Sequence, residues 1–167
     1  MLAEKEVTMY LITIQHENVL KELRSKGQYH CNYLGGFSKQ YPVSYGELAT
    51  MLWVDIPIFA WKQVYKDKSL HVNQLSRMLE MTPLPKGSVI LELEVPNDIP
   101  LLTNFYEWVG RLEEESGDIE VAEDRVQIWS GILDVSTCYE IQAVLPYIKE
   151  DWIIGSHLVS DLADESN

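Results

Sequence analysis

Between Ser88 and Val95 the chain reads SVILELEV, with Leu91, Leu93 and Val95 on one side of a period-two alternation and Glu92 and Glu94 on the other. That pattern predicts a strand with one face in a core and the other toward water. Met9 to Gln15 (MYLITIQ) is aliphatic and β-branched almost throughout and predicts a more fully buried strand. The period then changes. Val19, Leu20 and Leu23 share a helical face between Glu17 and Lys26, and Gly27 stands where a helix C-cap needs a left-handed backbone.

Tyr29 to Ser44 is dense in Gly, Asn, Ser, Tyr and Pro and reads as a packed but irregular loop. Ser44 with Glu47 three residues on has capping-box spacing, so a helix is expected over Tyr45–Trp53. Pro57 biases Ile56 away from helix, and Ile56 to Val64 (IPIFAWKQV) reads as extended. Leu75, Met78 and Leu79 predict a short helix over Asn73–Met81, ended by Pro83 and Pro85. Phe105, Trp108, Val109 and Leu112 make an apolar stripe that predicts a helix over Asn104–Glu115. Arg125–Val135 reads as an amphipathic turn or irregular segment, and Glu140–Leu145 and Trp152–Leu158 as two late strands about Pro146. The organisation expected is an extension over residues 1–8, one globular domain over 9–159 and a polar tail over 160–167. Its class is α+β, with a mixed or antiparallel central sheet and about three or four helices.

Composition narrows the function classes. The chain has 26 acidic against 13 Lys and Arg residues, a formal net charge of −13, which opposes phosphate-backbone binding and makes nucleic acid an unfavourable partner. Seven of those acids lie in Glu113–Asp124 with no base, the signature of a solvated loop rather than a calcium site. Cys31 and Cys138 stand apart in no ligand spacing, and His16, His30, His71 and His157 form no metal motif. Neither a signal peptide nor the roughly 18 apolar residues of a membrane span is evident, so a cytoplasmic location with reduced thiols is expected. No GxSxG, Walker or GxGxxG motif is present.

The ordered segments Thr13-Ile14-Gln15, Pro57-Ile58-Phe59-Ala60-Trp61-Lys62-Gln63, Leu91-Glu92-Leu93-Glu94-Val95-Pro96 and Ile141-Gln142-Ala143 resemble a bacterial domain-of-unknown-function family. That resemblance covers most of residues 9–159 and implies a shared fold without an assigned activity. More distantly, MYLITIQ, the helix to Gly27 and EIQAVLPYIKEDWIIG resemble the ADP-ribosyltransferase-like fold, whose central sheet is split. This second resemblance implies NAD as ligand, a first-strand residue on the nicotinamide-side ribose, a middle-segment aromatic, and a late Glu steadying a ribosyl cation. The nearest positions are Gln15, where such enzymes carry His or Arg, then Tyr45 or Trp61, and Glu140 or Gln142.

The residues themselves allow that chemistry beside plainer roles. Gln15 both donates and accepts, suiting a ribose or amide ligand, or simply nearby backbone. Trp61 and Gln63 lie two apart and share a strand face, an arrangement for stacking a ring while reading its polar edge, or for a core Trp beside an edge Gln. Glu140 and Gln142 have the same relation, with Glu140 the candidate catalytic carboxylate and Gln142 a cofactor contact, or with both as polar groups on a wet strand. Two functions follow as expectations. One is a nucleotide (NAD)-binding protein using Gln15, Trp61, Gln63 and Gln142; the alternative is a non-enzymatic acidic module that docks a basic protein partner.

Overall fold

The alternation at Ser88–Val95 and the buried run at Met9–Gln15 become two long antiparallel neighbours, β1 (Thr8–His16) and β4 (Ser88–Pro96). The computed structural model describes residues 7–32, 36–62, 86–117, 125–136 and 140–158. Along the chain β1 is followed by α1 (Glu17–Lys26), β2 (Gln28–Tyr29), α2 (Gly36–Gln40), α3 (Pro42–Leu52), β3 (Ile58–Lys62) and β4. Then come β5 (Leu101–Asn104), α4 (Phe105–Ser116), α5 (Arg125–Leu133), β6 (Ile141–Leu145), β7 (Ile148–Lys149), a 3-10 turn (Glu150–Trp152) and β8 (Ile153–Leu158). Helices beside antiparallel strands make the fold α+β, as the sequence led us to expect. The helix expected over Asn73–Met81, the residue Gln63 and the tail 160–167 lie outside the described residues.

The chain divides into two compact units. The first comprises Met1–Tyr29, Lys62–Asn97 and Lys149–Asn167, the second His30–Trp61 and Asp98–Ile148. In the first, β4 pairs on one side with β1 (Leu11 opposite Leu93) and on the other with β8 (Leu91 opposite Ser156). Val89, Leu91, Leu93 and Val95 are buried, as their alternation required, each worth roughly 1.5–3 kcal/mol in removed apolar surface. On the opposite face Ile12 and Ile90 form a small buried cluster with Ile14. There Glu94 accepts from Thr8 Oγ1 at 2.8 Å, and Glu92 pairs with His157 at 3.1 Å. Helix α1 lies against β1 and β4 and buries Val19 and Leu23. Its C-cap is Gly27 at φ 78°, whose N–H reaches Leu23 O, so the local glycine signal was sufficient. The first turn is capped by His16, whose ring Nδ1 accepts from Asn18 N–H.

In the second unit β6 is central, paired antiparallel with β3 (Trp61 opposite Gln142) and with β5 (Thr103 opposite Gln142). Cross-strand partners share a face, so Phe59, Val144 and Leu101 form one rung and Trp61, Gln142 and Thr103 the next. The core on that face joins Leu48 of α3, Trp108 of α4, Ile132 of α5 and Val144 of β6. Tyr45, Phe59 and Trp129 pack around it, with Trp108 meeting Tyr45, Phe59 and Trp129 at ring separations of 5.4, 6.0 and 6.2 Å.

Several expectations need correction here. Tyr29–Ser44 is not wholly irregular, since α2 and the start of α3 fall within it. Ser44 is not the N-cap of α3: that helix begins at Pro42, whose fixed φ suits the first helical position, and Tyr41 caps it without a side-chain bond. Arg125–Leu133 is a regular helix, and Leu101–Asn104 is a strand whose end, Asn104, caps α4 by accepting from Tyr106 and Glu107 N–H. Glu140 precedes β6 rather than lying within it. Among the described residues no helix is long and apolar enough to cross a membrane.

Candidate functional site

β6 positions Gln142 between two neighbours of different character. On one side stands the indole of Trp61 from β3, on the other Thr103 from β5, all three side chains on the helix-covered face. Asn104 ends β5 and starts α4, which brings Phe105 to Trp61 edge-on at a ring separation of 4.7 Å. The Phe105 N–H donates to Glu140 O at 3.2 Å, tying the start of α4 to the residue two before Gln142. Thr103 Oγ1 donates to the Gln142 backbone oxygen at 3.2 Å.

The side chain of Gln142 is the anomaly. The residue is 7% exposed, and its Oε1 is buried without a hydrogen-bond partner. A buried amide left unpaired costs on the order of 1–3 kcal/mol, so most native structures avoid it. The unpaired acceptor belongs to the rung that register forms from Trp61, Gln142 and Thr103.

Of the residues singled out from sequence, Trp61 and Gln142 are brought together, and Glu140 lies at the same end of the sheet with a half-buried side chain. Gln15 belongs to the first unit, where its Nε2 donates to Thr13 Oγ1 at 2.9 Å. Gln63 lies outside the described residues. Thr103 was not anticipated, because its place depends on a four-residue strand that carries little pattern of its own, and Phe105 was read only as part of the apolar stripe of its helix. Among the described residues no cluster of His, Cys, Asp or Glu has the geometry of a metal site.

Behind the site the second unit is electrostatically unusual. Its segments, 30–61 and 98–148, hold 13 acids against three Lys and Arg residues, whereas the remaining segments hold 13 against ten. Glu115 accepts from Ser44 N–H at 2.5 Å, placing a carboxylate on the positive end of α3. Arg111, 8% exposed, is 3.7 Å from Glu47, which also accepts from Trp129 Nε1 at 2.7 Å. Burial, with a smaller push from Tyr41, raises the Tyr45 phenol to about 12, so it stays neutral within the aromatic core. Ser136, donating through its hydroxyl and its N–H to Asp134, holds that carboxyl below its usual range.

No protein-family model, curated protein or solved structure matches this chain.

Proposed function

We propose that the second unit binds a nucleotide, NAD being the leading candidate, with the nicotinamide or adenine ring against Trp61 and its N–H edge donating to Gln142 Oε1. The observation that supports this reading is the buried, unpartnered Oε1 of Gln142 on the same rung as Trp61. An amide side chain beside an aromatic face suits both rings, since the carboxamide of one and the exocyclic amine of the other each offer an N–H to an acceptor. Thr103, already bonded to the Gln142 backbone, fixes the strand position from which the amide projects. In this reading Glu140 is the carboxylate that would steady positive charge on the ribosyl carbon as its bond to nicotinamide breaks, nicotinamide leaving and a nucleophile of an acceptor molecule bonding to that carbon in its place, which would make the protein an ADP-ribosyl transferase rather than a passive binder.

Calorimetric titration of the full chain with NAD, and separately with nicotinamide, tests the binding. Saturable binding that weakens at least roughly tenfold in a folded Trp61→Ala variant is the expected result. Heat that does not saturate at millimolar NAD, or binding unchanged in Trp61→Ala, overturns it. If NAD binds, a Glu140→Gln variant that binds normally but no longer releases nicotinamide would assign the transfer step.

A further inference from the structure

Helix α3 has an apolar inner side and a mixed outer one. Its inner face supplies Leu48, Ala49, Tyr45 and Leu52 to the core, yet Val43 and Met51 are exposed on the outside. Val43, Glu47, Thr50 and Met51 are spaced four, three and one residues apart, so they form one outer stripe. Two of the four, Val43 and Met51, are apolar and stand in water beside the polar Glu47 and Thr50. Along the stripe runs a shallow groove of about 310 Å³, lined by Glu47, Thr50, Met51 and Trp129.

The helix ends at the most exposed large hydrophobic side chain among the described residues. Trp53 is 94% exposed and caps α3 in the left-handed conformation at φ 57°, its N–H reaching Thr50 O at 3.3 Å. Glycine makes that cap without steric cost, and a bulky residue there costs roughly 1 kcal/mol. Folding alone therefore favours glycine at this position, and what the tryptophan adds is an indole held out into water at the end of the helix. Tryptophan is among the residues most enriched at the hot spots of protein interfaces.

The charge of the unit selects the occupant. With 13 acids against three bases in its segments, it attracts a cationic partner and repels a second copy of itself. Glu47 lines the groove with its carboxylate already held by Arg111 and Trp129. We infer that the α3 face docks a basic amphipathic segment of another protein, its apolar residues in the groove and against Trp53, its Lys or Arg residues drawn by the excess of acids in the unit. This inference is independent of the nucleotide reading, which concerns the other end of β3.

The test uses the full chain and a synthetic helical peptide with Leu at i, i+3, i+4 and i+7 and Lys elsewhere, followed by tryptophan fluorescence. Two controls accompany it: the same peptide with Leu replaced by Ser, and with Lys replaced by Glu. Expected are a saturable blue shift with the Leu/Lys peptide, at least roughly tenfold weaker binding of both controls, and weakening on raising ionic strength from about 0.05 to about 0.5 M. Calorimetry with Trp53→Gly and Met51→Glu should show the affinity reduced at least roughly tenfold, while Trp53→Gly unfolds no earlier than the wild type. Equal binding of the Leu/Lys and Ser/Lys peptides, retention in both variants, or no saturable binding overturns the proposal. A chain that sediments as a dimer through α3, monomerised by Met51→Glu, assigns the face to a second copy and overturns it too.

Discussion

In the first unit Gln15 donates to Thr13, Thr8 to Glu94, and Glu92 holds His157, so these polar side chains on the sheet have partners. In the second, Ser44 Oγ, Glu114 Oε2, Glu115 Oε2 and Gln142 Oε1 are buried without one, and among the described residues no such atoms occur elsewhere. Acids and bases are nearly balanced in the segments of the first unit, while acids exceed bases by ten in those of the second. Thirteen of the 17 aromatic residues also fall in the second unit's segments. A region that keeps unmet hydrogen-bonding capacity, excess charge and an exposed tryptophan gives up stability that its neighbour retains. Such local inconsistency is where functional sites are expected.

The sharpest way to strain this contrast is at the aromatic core. Trp108, 2% exposed and ringed by Tyr45, Phe59 and Trp129, anchors the second unit. Trp108→Ala should lower stability by about 4 kcal/mol in urea denaturation, with loss of the near-ultraviolet circular dichroism of the packed rings. A loss under about 1 kcal/mol would mean that the cluster does not hold the unit together.

Tyr45 offers a pH test of the same core. Its phenol ionises near 10 when unfolded but about 12 when folded, so between those values the unfolded chain binds fewer protons and stability falls as pH rises. The wild type should lose about 2 kcal/mol more than Tyr45→Phe across that window, measured by denaturation at each pH. Parallel pH profiles for the two proteins would show that the ring is not desolvated.

The first unit should respond more gently. A Cβ on Gly155 would run into the Glu92 carboxylate, a flexible group that can swing away once it releases His157. Gly155→Ala should cost about 1 kcal/mol, and most of that cost should vanish in a Glu92→Ala background. An undiminished cost there would place the strain in the β4–β8 backbone rather than in the side chain.

What was legible in the sequence depended on whether its cause was local. The helix to Gly27 and the strand at Ser88–Val95 carry their determinants within their own residues, and both were read correctly. The start of α3 was misread because the carboxylate on its N-terminus comes from Glu115, 71 residues away, while the Ser44 hydroxyl caps nothing. β5 was missed because a four-residue strand is defined by its pairing with β6 rather than by its pattern. Trp61 and Gln142 were each singled out, yet only register places them opposite one another. Trp53 was passed over as a helix end; a bulky residue where a glycine cap is expected was the available signal.

The most direct test of a functional second unit is thermal unfolding of Gln142→Leu beside the wild type, each with and without NAD. Leucine is close in shape and lacks the unpaired acceptor, so the unliganded variant should melt at the same temperature or higher. Near 100 times its dissociation constant NAD should raise the wild-type midpoint by about 5 °C and leave the variant unmoved. A variant that melts markedly lower with the NAD shift intact would make Gln142 a structural residue and contradict the assignment of function to this end of the sheet.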